Sequence, residues 1–184
     1  TRPLAALQRL WLGKPVEQVL EQIPLLFSVC GHAQSLAALK ACRYALNLTG
    51  SDALQVAQTQ LVSLETQREH VLRILMDWSR WLGMSPNPKL IQQTIRFLPQ
   101  ARLAWFKQGQ AFSLDAALRS DADFVLLNEW QHFLAQSIFA MPLDEWRSLS
   151  SLDDLQHWVN AQSTLAAQTL YRLQQQDLIA LGAN

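Results

Sequence analysis

The chain has 184 residues, 49% of them hydrophobic, with 15 basic and 15 acidic side chains and a formal net charge of zero. That is enough apolar material for a core without disulfide or metal staples. The balanced charge lacks the basic excess or stripe of a nucleic-acid binder, and no apolar run is long and unbroken enough to cross a bilayer.

In chain order the pattern is almost wholly helical. Leu4, Leu7, Leu10 and Trp11 form an apolar stripe at helical spacing that ends at Gly13. Pro15 suits a first helical position, and Val16, Leu20 and Ile23 continue a short helix that Pro24 should stop. A third helix begins near Gly31, carries Leu36, Leu39, Cys42 and Leu46, and is expected to end at Thr49 and Gly50.

From about Ser51 to Leu82 runs the longest clear pattern, with Leu54, Ala57, Leu61, Leu64, Val71, Leu75, Trp78 and Leu82 three or four residues apart. It is interrupted once, at "ETQREH", where Glu65, Arg68, Glu69 and His70 crowd together. After the loop "GMSPNP", Asn87 is an expected N-cap with Pro88 at the first helical position, and this helix should weaken before Pro99.

"ARLAWFKQGQAFSL" is the one strand-like stretch, and a small β-hairpin over 101–114, turning at Gln108-Gly109-Gln110, is one reading of it. "SDAD" at Ser120 has the spacing of a capping box and leads into a helix with Phe124, Leu127, Trp130, Leu134 and Ile138 on one side. Pro142 starts a short turn of helix. "SSLDD" then opens an expected long final helix holding Leu155, Trp158, Val159, Leu165, Ala166, Leu170 and Leu173. No repeat or linker divides the chain, so the expectation is a mainly α protein, one helical bundle over residues 1–184.

The chemical inventory is thin. His32, His70, His132 and His157 are scattered, with no i, i+4 pair and no H-E-x-x-H or C-x-x-C that would cage zinc. Glycine is too sparse for a phosphate loop or a dinucleotide fingerprint, and there is no G-x-S-x-G elbow. Cys30 and Cys42 fall on one expected helix about 18 Å apart at about 1.5 Å rise per residue, beyond the roughly 7 Å that a disulfide spans. Reduced thiols and a cytoplasmic setting are therefore expected, and no secretion signal is visible in the sequence given.

Cys30 stands at the mouth of a helix, where unsatisfied amides favour a thiolate, with Gly31 and His32 beside it. The bland alternative is a cysteine packed as a small hydrophobe. The charged cluster at Glu65–His70 reads as a solvated helix face. The tryptophans, Trp78 and Trp81 among them, read as core or as contact hot spots.

Taken as a pattern, "CGHAQSLAALKACRYAL" resembles the stretch after the N-terminal metal-binding motif of the nickel–iron hydrogenase large subunit, R-x-C-G-x-C-x-x-x-H followed by a helix of the type S-L-A-A-x-K-A. Ser35-Leu36-Ala37-Ala38, Lys40-Ala41 and Ala45-Leu46 fit without a gap, and the register makes Cys30 the motif's second cysteine, which bridges nickel and iron in the family. Upstream, "LQRLWLGKP" resembles the family's R-G-x-E helix leading to L-x-G-R. Downstream, "LETQREH" falls where related subunits carry glutamate and histidine, so the resemblance covers roughly residues 5 to 82.

The departures matter as much. The family's first cysteine falls on Phe27, its glycine on Ser28, its arginine on Leu25, the motif histidine on Gln34 and the upstream acid on Gln8, and the C-terminal D-P-C-x-x-C is absent. A nickel site of four thiolates keeps one, and soft-ligand sites need their full ligand count. The resemblance therefore implies no hydrogenase enzyme and no nickel, but a large-subunit-like accessory protein of the HupK/HoxV type.

Such a protein would be a non-enzymatic scaffold in hydrogenase maturation. It would hold the Fe(CN)2CO fragment transiently through Cys30 and pass it to the immature large subunit, with maturation proteins as further partners. Phe27, Gly31, His32 and Gln34 would line the pocket, and Glu65 and His70 would support it from behind. Two other classes remain open: a metal-free interaction module or chaperone for hydrogenase assembly, and an enzyme using Cys30 as nucleophile, for which no base stands at a recognisable spacing.

Overall fold

The computed structural model describes residues 9–176 and 178. Leu4, Leu7 and Gln8 of the first expected helix lie outside the described residues; 9–11 are helical, and the chain turns at Gly13 with φ +79°. Helices follow at α1 (Val16–Leu26), α2 (Gly31–Ala45), α3 (Asp52–Arg73), α4 (Pro88–Trp105), α5 (Val125–Leu134), α6 (Leu143–Ser148), α7 (Leu152–Ala161) and α8 (Leu165–Gln175). The protein is mainly α, as its periodicity implies.

Local chemistry explains most of the boundaries. The Ser51 hydroxyl accepts the Leu54 N–H at 3.3 Å to open α3, and Asn87 Oδ1 accepts from Lys89 and Leu90 at 3.0 and 3.3 Å to open α4. Helix α2 closes earlier than Thr49: the Leu48 N–H returns to the Arg43 carbonyl at 2.8 Å and the Asn47 N–H to Tyr44 at 3.2 Å. Asn47 sits at φ +53°, completing a Schellman motif. Past the end of α3, a π-helical turn (Ile74–Trp78) leads into Ser79–Trp81.

Five expectations need correction. Pro24 does not stop α1, which runs two residues beyond it, and α4 continues through Pro99 to Trp105. A proline removes one hydrogen bond, but Ile23 before the first, and Leu98, Ala101 and Trp105 around the second, are buried, and that burial outweighs the loss. The hairpin over 101–114 is not formed. Residues up to Trp105 are helical, Lys107–Gly109 make a 3-10 turn, and only one isolated antiparallel bridge joins Phe106 to Leu118.

Ser120 lies in a turn, and Phe124 occupies the cap of α5. The long C-terminal helix is two. Ser151 and Asp154 form the full capping box of α7, while Thr164 accepts the Ala167 N–H and starts α8 afresh.

Contacts divide the chain into two compact units, Thr1–Gln67 with Gln100–Asp123, and Arg68–Pro99 with Phe124–Asn184; the division falls inside α3 and α4. In the first unit Leu20, Ile23 and Leu39 form a buried cluster, against which Trp11, Val19, Phe27, Cys42, Phe112 and Leu114 pack. In the second, the Phe97 and Trp130 rings meet edge-on at 5.0 Å and Trp130 stacks with Phe133 at 5.4 Å. The Trp158 indole N–H donates to the Phe139 carbonyl at 2.7 Å.

Candidate functional site

Cys30 occupies the N-cap position of α2 at φ −122°, ψ 34°. Its thiol is free and half-buried, as is that of Cys42, which packs against the Leu20–Ile23–Leu39 cluster. Leu25, Leu26 and Val29, just before Cys30, are exposed, so the thiol follows an apolar surface stretch.

Immediately after it the head of α2 is tied to α3. Glu65 is 3% exposed. One of its oxygens accepts the His32 backbone N–H at 2.9 Å and the His32 ring Nδ1–H at 2.7 Å, and the other accepts the Ala33 N–H at 3.0 Å. An ionised carboxylate only accepts, so the proton of this contact sits on Nδ1. Glu65 thus satisfies two of the orphan amides of the first turn, which are then not left for a thiolate at position 30. Burial raises its carboxyl, but the hydrogen bonds from the His32 ring and from the two amides, with the attraction of His32, outweigh burial and hold it below the usual value.

For Glu65, then, the solvated-face reading does not hold. It does hold for exposed His70, five residues further along α3 and in the second unit, while Arg68 and Glu69 pair with each other. Gly31 is buried, and a Cβ there would lie 3.4 Å from the Pro24 carbonyl, which makes α1 and α2 near neighbours at this point. Gln34 is exposed, its N–H bonded to the Cys30 carbonyl at 3.0 Å.

A cleft of about 650 Å³ opens in the same unit. Helix α1 contributes Glu17, Leu20, Glu21 and Pro24, helix α2 contributes His32 and Ser35, α4 contributes Arg102, and residues 109–115 close it. Of the expected pocket residues His32 is on its wall; Cys30, Phe27, Gly31 and Gln34 are not. The 109–115 segment is held by Gln58 Nε2, which donates to the Ala111 carbonyl at 2.6 Å, and by Arg43, which donates to the Leu114 carbonyl at 3.3 Å. His32 and Phe112 meet edge to face at 5.5 Å. The acidic face of α1 was readable in principle, since Glu17, Leu20, Glu21 and Pro24 recur at i, i+3, i+4 and i+7. The 109–115 wall leaves no local signal.

Among the described residues no group of three or more His, Cys, Asp or Glu side chains is placed to hold a metal ion, and no helix is long and apolar enough to cross a membrane.

No protein-family model matches the chain, and no solved structure does. Curated proteins do. The chain is 43% identical over 77 residues to the hydrogenase expression/formation protein HupV of Azotobacter chroococcum, covering 42% of this chain and 22% of that one. It is 38% identical over 77 residues to HupK of Azotobacter vinelandii, again 42% and 22% of the two chains. With HoxV of Cupriavidus necator it shares 33% identity over 102 residues, 55% of this chain and 25% of the relative. The matched segments span about a quarter or less of the length of these relatives.

Proposed function

The chain is a relative of the HupK/HoxV-type hydrogenase expression/formation proteins, and on that premise we propose that it serves in the maturation of a nickel–iron hydrogenase, without turnover of its own. Its task is to hold the Fe(CN)2CO fragment as cargo on Cys30 and to release it to the immature large subunit, and the helices around Cys30 share their ancestry with the large-subunit core. The setting is the cytoplasm, with the hydrogenase maturation proteins as further partners.

The observation that carries this reading is Cys30 itself, a free and half-buried thiol at the head of α2 beside exposed Leu25, Leu26 and Val29. One thiolate is a poor cage for a bare metal ion. It suits an iron that brings its own cyanide and carbonyl ligands, and weak ligation lets such a fragment leave. The His32–Glu65 pair keeps the first turn of α2 rigid next to it.

A second reading is favoured by the same exposed leucines: a metal-free module that docks an assembly partner over the surface before Cys30. The test is maturation in cells. Under the scaffold reading, Cys30→Ala abolishes hydrogenase activity while the purified variant keeps its helical fold. Normal maturation in that variant excludes the scaffold reading and leaves the docking module.

A further inference from the structure

The cleft beside His32 carries features that Cys30 chemistry does not use. Ser35 lies one turn after His32 on the same face of α2 and is 1% exposed, yet its Oγ has no hydrogen-bond partner. The Oγ of Ser113, which also lines the cleft, is likewise buried and unpartnered. Buried hydroxyls left unpaired cost stability, so two in one cleft call for a polar occupant.

The rim states the sign of that occupant. Exposed Glu17, Glu21 and Asp115 stand there, and Arg102 is the one lysine or arginine in the lining. The lining also includes the apolar side chains of Leu20, Pro24 and Phe112. Carboxylates and serine lone pairs accept hydrogen bonds, so they match a group that only donates. The walls are fixed in advance by Gln58 on the Ala111 carbonyl and by Glu65 on His32, which lowers the ordering cost of binding.

We propose that this cleft binds an alkylguanidinium or alkylammonium group, its stem on Leu20, Pro24 and Phe112 and its donors on the acidic rim and the Ser35 and Ser113 hydroxyls. The proposal does not depend on the iron reading. The cation is either a free amine or the side chain of an arginine or lysine in a protein segment, and the two sources are separable by experiment.

The probe is butylguanidinium chloride, titrated at low salt into the full chain and followed by amide NMR, with pentanoate as the anionic counterpart. Saturable shifts at Ser35 and Phe112, with a dissociation constant below about 10 mM, are expected. The exposed pair Glu17→Gln and Glu21→Gln should weaken binding at least about tenfold, Ser35→Ala should weaken it several-fold, and Glu129→Gln in the other unit should leave it unchanged. Acetyl-Leu-Arg-Leu-amide binding about tenfold tighter than butylguanidinium assigns the cation to a protein segment; equal affinities assign a free amine. The proposal is overturned if neither probe saturates, if pentanoate binds as well, or if the double variant binds like wild type.

Discussion

The buried carboxylate of Glu65 holds His32 twice, through the ring Nδ1–H at 2.7 Å and the backbone N–H at 2.9 Å. A residue of α3 thereby serves as the N-terminal cap of α2, a role that Cys30, the residue in the cap position, does not fill with its own side chain. The head of α2 next to the thiol is built by this contact across 33 positions of sequence.

Glu65→Ala should accordingly be costly. It strands two amides and a ring nitrogen in a part-buried place, for a loss of about 2–4 kcal/mol in urea unfolding. Cys30→Ala, which removes no capping hydrogen bond, should change stability by less than about 1 kcal/mol. Equal losses in the two variants would contradict this division of labour.

The same contact sets an acid limit. The Glu65 carboxyl is held below its ordinary value, so its contribution is fully present above the unfolded value of about 4.3 and is lost as pH falls through the lower folded value. Unfolding free energy should therefore fall below about pH 4, and Glu65→Gln should flatten that limb. An acid limb of unchanged steepness in Glu65→Gln would show that other carboxylates govern it.

Ser35→Ala is expected to stabilise the protein. The hydroxyl it removes is buried and unpartnered, and alanine is the better helix former, so a gain of about 0.5–1 kcal/mol should appear in thermal or urea unfolding. A loss above about 1 kcal/mol would mean that Oγ is bonded in solution.

Gly31→Ala should be tolerated within about 1 kcal/mol. A methyl at that position meets the Pro24 carbonyl oxygen at 3.4 Å and its Cα at 3.5 Å, which is ordinary contact. A severe loss of stability would mean that α1 and α2 approach more closely than this.

Trp158→Phe takes the indole donor from the Phe139 carbonyl in the second unit, and a drop of about 1–3 kcal/mol in stability is expected. An unchanged midpoint would mean that the carbonyl finds another donor.

How far the sequence could be read follows from the range of the forces involved. Caps and stripes act within a few residues, so Asn87, Ser151 and the Leu54-to-Val71 stripe of α3 appear where the pattern puts them. Pro24 and Pro99 mislead because tertiary burial overrides a local penalty. Thr164 was a missed local signal, a threonine cap inside what looked like one helix.

The candidate site divides in the same way. Cys30 and its place at a helix mouth were legible from spacing and resemblance. His32 against Glu65 joins residues on two helices, and nothing in either neighbourhood announces it. The cleft depends on residues from α1, α2, α4 and the 109–115 segment, a combination that only the folded chain brings together.

The most direct measurement is an infrared spectrum of the protein expressed with hydrogenase maturation proteins and purified without oxygen. Iron-bound carbon monoxide and cyanide absorb where protein does not. The account predicts such bands in the wild-type protein and their absence in Cys30→Ala. A blank wild-type spectrum, with no iron by metal analysis, would contradict the scaffold role and leave Cys30 a packing residue.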